Sequence, residues 1–378
     1  MSDKKRKNLP NWNFAFTSKS DWLEAAMKEL KGKKPEDLRF EYGNNLISEP
    51  FYDKDDLIYI APGNYDCFAL KFLPSGHQNY YSVLVEDGPK ANSIILSGLS
   101  LGMDSLSLVQ NVFNPLDLET ALNEVVTDIL NLEFQTGNPD EISKWLISGK
   151  LNIRNGSIAK LPSIEVLKEL IYWSSDKEAF FPINLIAEPS SDYAHSNACL
   201  LSQLVDTIEA MSNCGMPIQA ILGKLKFSFP FGLNFYEDAA RIRAFKVVLD
   251  QVLKKYNSDS LSSLILHSII TPWKNEKLGP HESMLKGTTN MISALVGGCN
   301  SFQVIPSDYR SELQRRIAWH TLNVLSSEAH LDKVDDPGRG SYFFESMTWQ
   351  IAEKSMEIFK EIESKGGFSK IQKQKNEA

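Results

Sequence analysis

No apolar run in this chain of 378 residues approaches the ~18 that a bilayer-crossing helix needs, so no membrane-spanning helix is expected. Cysteine is scarce. The four present, Cys67, Cys199, Cys214 and Cys299, form no CxxC pair, which sets aside zinc knuckles and redox dithiols. So few cysteines in so long a chain read as reduced and cytoplasmic. Positive charge is in deficit: 40 Lys and Arg stand against 48 Asp and Glu, a formal charge of −8. A broad nucleic-acid or anionic-membrane surface is therefore not expected. A secretory signal needs an apolar core after its basic start, and here Asn8-Leu9-Pro10-Asn11 follows the basic residues up to Lys7. Residues 1–19 read instead as a flexible basic tail. No repeat shorter than a strand–helix unit is present.

The composition, 42% hydrophobic and 23% charged, is that of an ordinary globular protein. Residues 20–87 form an amino-terminal extension. It opens with a helix over Ser20–Lys31, with Ser20 as cap, Trp22, Ala26 and Leu30 on one face, and Gly32 as its stop. Strand-like runs at Leu57–Ala61 and Tyr80–Val85 follow between Pro- and Gly-rich turns. These residues hold too little apolar surface for a core, so they are expected to pack on the rest of the chain or on a partner.

Residues 88–368 change rhythm. Short apolar strands are expected at Ser105–Val109, Leu130–Gln135, Leu151–Ile153, Pro182–Ala187, Leu225–Phe229, Ser263–His267, Ser301–Ile305 and Leu331–Val334, with helices between them and a last helix over Phe344–Lys365. Eight alternating units over this length predict parallel strands joined by right-handed crossovers, an α/β fold of the (β/α)8 TIM-barrel type. A doubly wound sheet would carry a glycine-rich loop after its first strand, where Val109-Gln110-Asn111 stands. Both faces of every strand should be buried. The pattern leaves open which face points to the axis. Residues 369–378 read as a flexible tail.

The run Asp335-Asp336-Pro337-Gly338-Arg339-Gly340-Ser341-Tyr342-Phe343-Phe344-Glu345, with Gly366-Gly367 beyond the next helix, resembles the end of the barrel in the methylmalonyl-CoA mutases, whose pattern there is D-P-x-x-G-S-Y-x-x-E. The stretch Lys28-Glu29-Leu30-Lys31-Gly32 with Pro35-Glu36-Asp37-Leu38 is similar to the family's amino-terminal helix exit. Pro230 to Asn234 with Arg241-Ile242-Arg243-Ala244, and Gly298-Cys299-Asn300-Ser301 with Arg316-Ile317-Ala318, are similar to two of its barrel units. The resemblance runs from about residue 20 to 368. It implies a barrel that binds an acyl-CoA. In active members adenosylcobalamin starts a radical rearrangement between methylmalonyl-CoA and succinyl-CoA, and bacterial members include heterodimers of a catalytic and a non-catalytic subunit.

Several departures bear on activity. None of the six histidines lies in the D-x-H-x-x-G motif whose His ligates cobalt in the family. Where catalytic members have G-Y-H, this chain has Ala187-Glu188-Pro189, and proline offers no side-chain donor. The family's R-T-H-S becomes Ile265-Leu266-His267-Ser268, losing a bidentate carboxylate or phosphate donor. The R-G-x-Y stretch is missing; neither Tyr65 nor Tyr80 follows an R-G. The resemblance with these losses implies the non-catalytic, beta-type subunit, inactive alone. It would form a heterodimer with a catalytic mutase subunit that binds the adenosylcobalamin. The alternative is an active acyl-CoA mutase barrel that borrows a cobalamin-binding chain. No catalytic, cofactor or metal residue is assigned here. His267 and Ser268, placed at a strand's carboxyl end, are the substrate-binding candidates, against a buried hydrogen-bonding role. Arg241 and Arg243 point to different faces of one helix, and one of them reads as a cap or structural pairing residue in preference to a ligand contact. Gly338–Ser341 reads as a tight loop more readily than a phosphate cradle, and Asp335-Asp336 lacks a local acid–base partner.

Overall fold

A computed structural model describes residues 17–57, 77–177, 179–232, 234–256, 264–271 and 280–377. The basic tail up to residue 16, Tyr65, Cys67 and all of the Leu57–Ala61 run except its first residue lie outside the described residues.

The chain begins with helix α1 (Lys19–Glu29) and a small antiparallel pair, β1 (Phe40–Tyr42) and β2 (Leu46–Ser48). The cap of α1 is Ser18, two residues before the expected one, in a reciprocal capping box with Asp21. Then the barrel starts: β3 (Gln78–Leu84), α2 (Gly88–Ser100), β4 (Ser105–Gln110), α3 (Pro115–Ala121), β5 (Asn131–Thr136), α4 (Pro139–Ile147), β6 (Asn155–Ile158) and α5 (Ile164–Trp173). It continues through β7 (Phe180–Phe181), β8 (Ile183–Ile186), α6 (Tyr193–Asn213), α7 (Ile218–Leu222), β9 (Leu225–Phe231), α8 (Phe235–Lys255), β10 (Ile265–Ile270), α9 (Pro280–Gly297), β11 (Ser301–Val304) and α10 (Glu312–Ser327). Helices α11 (Tyr342–Ser364) and α12 (Phe368–Glu377) finish the chain.

All neighbouring strands from β3 to β11 pair in parallel, and β11 pairs back onto β3. β7 and β8 are one strand interrupted by Pro182, which has no N–H to donate to a ladder. The half before Pro182 pairs with β6 and the half after it with β9, so the ring closes as a (β/α)8 barrel.

The count of eight was expected, but its phase was shifted by one unit. The first barrel strand is Gln78–Leu84, a run assigned from sequence to the extension, and Leu331–Val334 is a turn. The weak strand expected at Leu151–Ile153 lies instead at Asn155–Ile158. Its sequence, Asn-Gly-Ser-Ile, hides it. Gly156 holds φ 146°, and a Cβ there would collide with the Leu132 carbonyl, so β6 and β5 approach in a way that only glycine permits.

Crossover helices start where sequence signals coincide. Asn114 and Asn138 each cap a helix whose first residue is proline, and Asp192, Asn234 and Ser311 cap α6, α8 and α10. The apolar core is a sleeve between strands and helices. One part packs β3–β6 against α2–α5; the other packs β8–β11 against α6–α11.

A buried clasp fastens α11 to this sleeve. The Arg243 guanidinium on α8 donates to both Asp336 oxygens at 3.1 and 3.0 Å, to Glu345 Oε1 at 3.1 Å and to Thr348 Oγ1 at 2.6 Å. Removing the cation leaves two nearly inaccessible carboxylates without it. Arg243→Met should therefore destabilise the chain by about 3–5 kcal/mol, read as a lowered urea midpoint. An unchanged midpoint would remove the clasp from any account of stability.

Candidate functional site

The axis of the barrel is polar. Side chains alternate across a strand, so β5 sends Leu132 and Phe134 to the sleeve and Asn131, Glu133 and Gln135 the other way. β9 likewise turns Leu225, Phe227 and Phe229 outward and Lys226 inward. Glu133 and Lys226 are opposite charges on strands that are not neighbours, and they form an ion pair across the interior with side-chain exposures of 2% and 1%. Glu133 also accepts from Gln135 at 2.7 Å, Ser157 at 3.3 Å and Ser107 at 3.4 Å, and Lys226 donates to Ser157 at 3.0 Å. The Lys226 ammonium lies 5.2 Å from the Tyr80 ring centroid. Gln135 reaches across to Gln303 at 3.1 Å, which donates to Ser82 at 2.9 Å.

His267 belongs to this network. Its Nδ1 is 2.8 Å from Ser301 Oγ, its ring meets Tyr80 edge-on at 5.5 Å, and its Nε2 is 4.0 Å from Glu133 Oε2 with no hydrogen-bond partner. The strand continues to Ile270, so His267 lies inside the barrel rather than at its mouth. Ser268 points to the opposite face, and its hydroxyl donates to the Ser301 carbonyl at 3.4 Å. The two candidates are both fully buried and do not share a site.

Electrostatics follow burial. Desolvation alone would raise the Glu133 carboxyl, but the Lys226 charge beside it, helped by His267, holds it at about 2. Burial, and then the neighbouring Lys226 charge, push His267 down to about 3, so the imidazole is neutral. Burial likewise lowers Lys226, against the pull of Glu133.

At the mouth, the described residues that the sequence singled out are committed to other groups of the chain. Ala187 is buried, Glu188 and Pro189 are exposed, and Glu188 Oε1 accepts from Gln372 on α12 at 3.4 Å. Arg241 is spent on structure. Burial lowers its pKa, it donates to Ser196 at 2.9 Å, and it lies over the Tyr193 and Phe229 rings. In the Gly338–Ser341 turn the Gly340 amide donates to Glu345 at 2.9 Å and the Ser341 amide to Gly338, so these donors already have partners. Asp336 is in the Arg243 clasp.

Glu133 and Lys226 were not singled out from sequence. The signal was there in retrospect: one charge at the centre of Leu132-Glu133-Phe134 and the opposite charge within Leu225-Lys226-Phe227. A charge amid apolar strand residues is tolerated only when paired.

The family model described as methylmalonyl-CoA mutase matches residues 161–375, more than half of the chain. The chain belongs to the methylmalonyl-CoA mutase family. Curated relatives agree. A methylmalonyl-CoA mutase of Cereibacter sphaeroides is 24% identical over 92% of this chain and 59% of its own length. That of Rhizobium meliloti is 26% identical over 80% of this chain and 45% of its own. A protein of Porphyromonas gingivalis named methylmalonyl-CoA mutase small subunit is 24% identical, over 94% of this chain and 64% of its own length. The chain thus spans about half to two thirds of these relatives. Among the described residues no group of three or more His, Cys, Asp and Glu is placed to hold a metal ion, and the unpartnered Nε2 of His267 is enclosed within the mutase barrel. No helix among the described residues is long and apolar enough to cross a membrane.

The buried network makes a prediction about pH. Unfolded, His267 takes up a proton near its ordinary 6.5; folded, it refuses one until about 3. Its contribution is complete above 6.5 and falls as pH drops towards 3. Glu133 adds a second loss, beginning below its ordinary 4.5 and complete near 2. His267→Gln should flatten the fall of the urea midpoint between pH 6.5 and 4.5. An identical slope in the variant would contradict this assignment.

Proposed function

We propose that this chain is the non-catalytic, beta-type subunit of an adenosylcobalamin-dependent methylmalonyl-CoA mutase, a cytoplasmic heterodimer in which the catalytic partner holds both cobalamin and substrate. The observation that carries this reading is the filled axis: Tyr80, Glu133, Lys226, His267 and Gln303, all at most 3% exposed, occupy the barrel's interior, where Glu133 and Lys226 pair and the Tyr80 ring packs against Lys226 and His267. A ligand threading this barrel would have to separate a buried ion pair, at a cost of several kcal/mol. The alternative, an active barrel that borrows a cobalamin chain, requires that path to be open.

A need for a partner fits the amino-terminal segment. Helix α1 buries none of its residues. Trp22 stacks on Phe51 at 5.1 Å, while Leu23, Met27, Phe40 and Ile47 are 40%, 59%, 45% and 47% exposed. Apolar area of this kind, rimmed by the charges of the same helix, marks an association surface.

The test is co-expression with a catalytic mutase chain, followed by co-purification and assay of methylmalonyl-CoA turnover. His267→Gln should leave turnover of the pair within about threefold, under ~0.7 kcal/mol of barrier. Leu23→Asp combined with Met27→Asp should leave this chain's own unfolding midpoint unchanged and weaken assembly about tenfold or more. A hundredfold loss of turnover from His267→Gln, with the complex intact, would give this barrel a working site and overturn the proposal.

A further inference from the structure

The barrel carries a second opening, beside the axis rather than on it. Where β10 and β11 end, a cleft of about 220 Å³ lies between α9 and α10. Ile270, Val304, Ile305, Ile317 and Ala318 form its walls, and Met284 and Leu313 stand at the rim, 40% and 67% exposed. Ile270 and Val304 have the strand parity of Leu266 and Phe302, so the cleft belongs to the sleeve side and has no contact with the Glu133–Lys226 network.

The lining contains no Lys, Arg, His, Asp or Glu. Its polar groups largely satisfy one another. Gln314 Oε1 accepts from the Ser307 hydroxyl and, at 2.8 Å, from the Asp308 amide; Ser311 Oγ accepts from the Gln314 amide, and Thr321 donates to the Ile317 carbonyl at 2.9 Å. What a visitor meets is mainly hydrocarbon.

A second observation shows that the space is not required by this chain's own packing. Gly287 lies inside α9 and lines the cleft. Glycine within a helix costs about 1 kcal/mol relative to alanine. Its φ is not among the positive values, and a Cβ there would meet only Val304 Cγ1, at an ordinary 3.9 Å on the facing wall. Neither backbone nor packing requires glycine, and its missing side chain enlarges the cleft.

We propose that this cleft binds a small uncharged hydrocarbon group, a ring or branched alkyl chain. Apolar cavities of about 150 Å³ take up benzene, so this one admits a group of roughly eight carbons. A helix about 10 Å across is too wide for it, and a carboxylate would find no cation. The inference stands independently of the heterodimer reading.

Toluene is the probe, titrated into the full chain and followed by saturation-transfer NMR. Saturable one-to-one binding is expected, with Kd raised at least tenfold in Gly287→Leu, which fills the cleft from α9. Butyrate should not displace the toluene. Thr321→Leu fills it from α10 and decides the matter if Gly287→Leu does not fold; unfolding midpoints establish which variants are folded. Absence of saturable toluene binding, displacement by butyrate, or unchanged affinity in a folded filling variant would overturn the site.

Discussion

A carboxylate and an ammonium that meet across the middle of a closed barrel constrain the rest of this molecule. Each of Glu133 and Lys226 would be prohibitive alone at 1–2% side-chain exposure. Together they need strands β5 and β9 held at a fixed separation across the interior, and they need the serine, glutamine and tyrosine groups around them to take up the remaining donors and acceptors. Such pairs add little net stability over a hydrocarbon filling. What this one does is make any other state of the axis costly: a wider barrel, a strand slipped by one residue, or a guest molecule would each leave a charge unpaired. Apolar packing is displaced to the sleeve between strands and helices, where burial of Phe, Leu and Ile holds the fold.

That inversion, polar inside and apolar outside, links structure to the functional reading. A barrel that works on a ligand keeps room and donors at the carboxyl ends of its strands. Here the imidazole lies below the mouth and is held neutral, Glu188 turns towards α12, and Arg241 and Arg243 are each committed to structural partners. The family fold is kept, and each of these side chains is bonded or packed within the chain's own structure. The apolar residues left exposed on α1 and the β1–β2 pair give the same chain a reason to associate.

The barrel could be read from sequence because strand–helix alternation and capping residues repeat. Its phase could not. Gln78–Leu84 is sandwiched between β4 and β11 and carries polar residues at alternate positions, which imitates an exposed strand, and the short Asn155–Ile158 has too few apolar residues to register. The same alternation separates the two candidates: adjacent residues such as His267 and Ser268 on a strand point to opposite faces. Both strand faces were expected to be buried, as they are, but the axial face was not readable. An inward Ser, Gln or Glu looks like an outward one until the ring closes.

Whether the axis admits substrate decides the central claim. Calorimetric titration of methylmalonyl-CoA into the isolated chain measures this most directly. The filled interior predicts no saturable heat at millimolar ligand, and no change on substituting His267 or Tyr80. One-to-one binding with a micromolar Kd, lost in His267→Gln or Tyr80→Phe, would contradict the account and make this barrel a substrate-binding subunit.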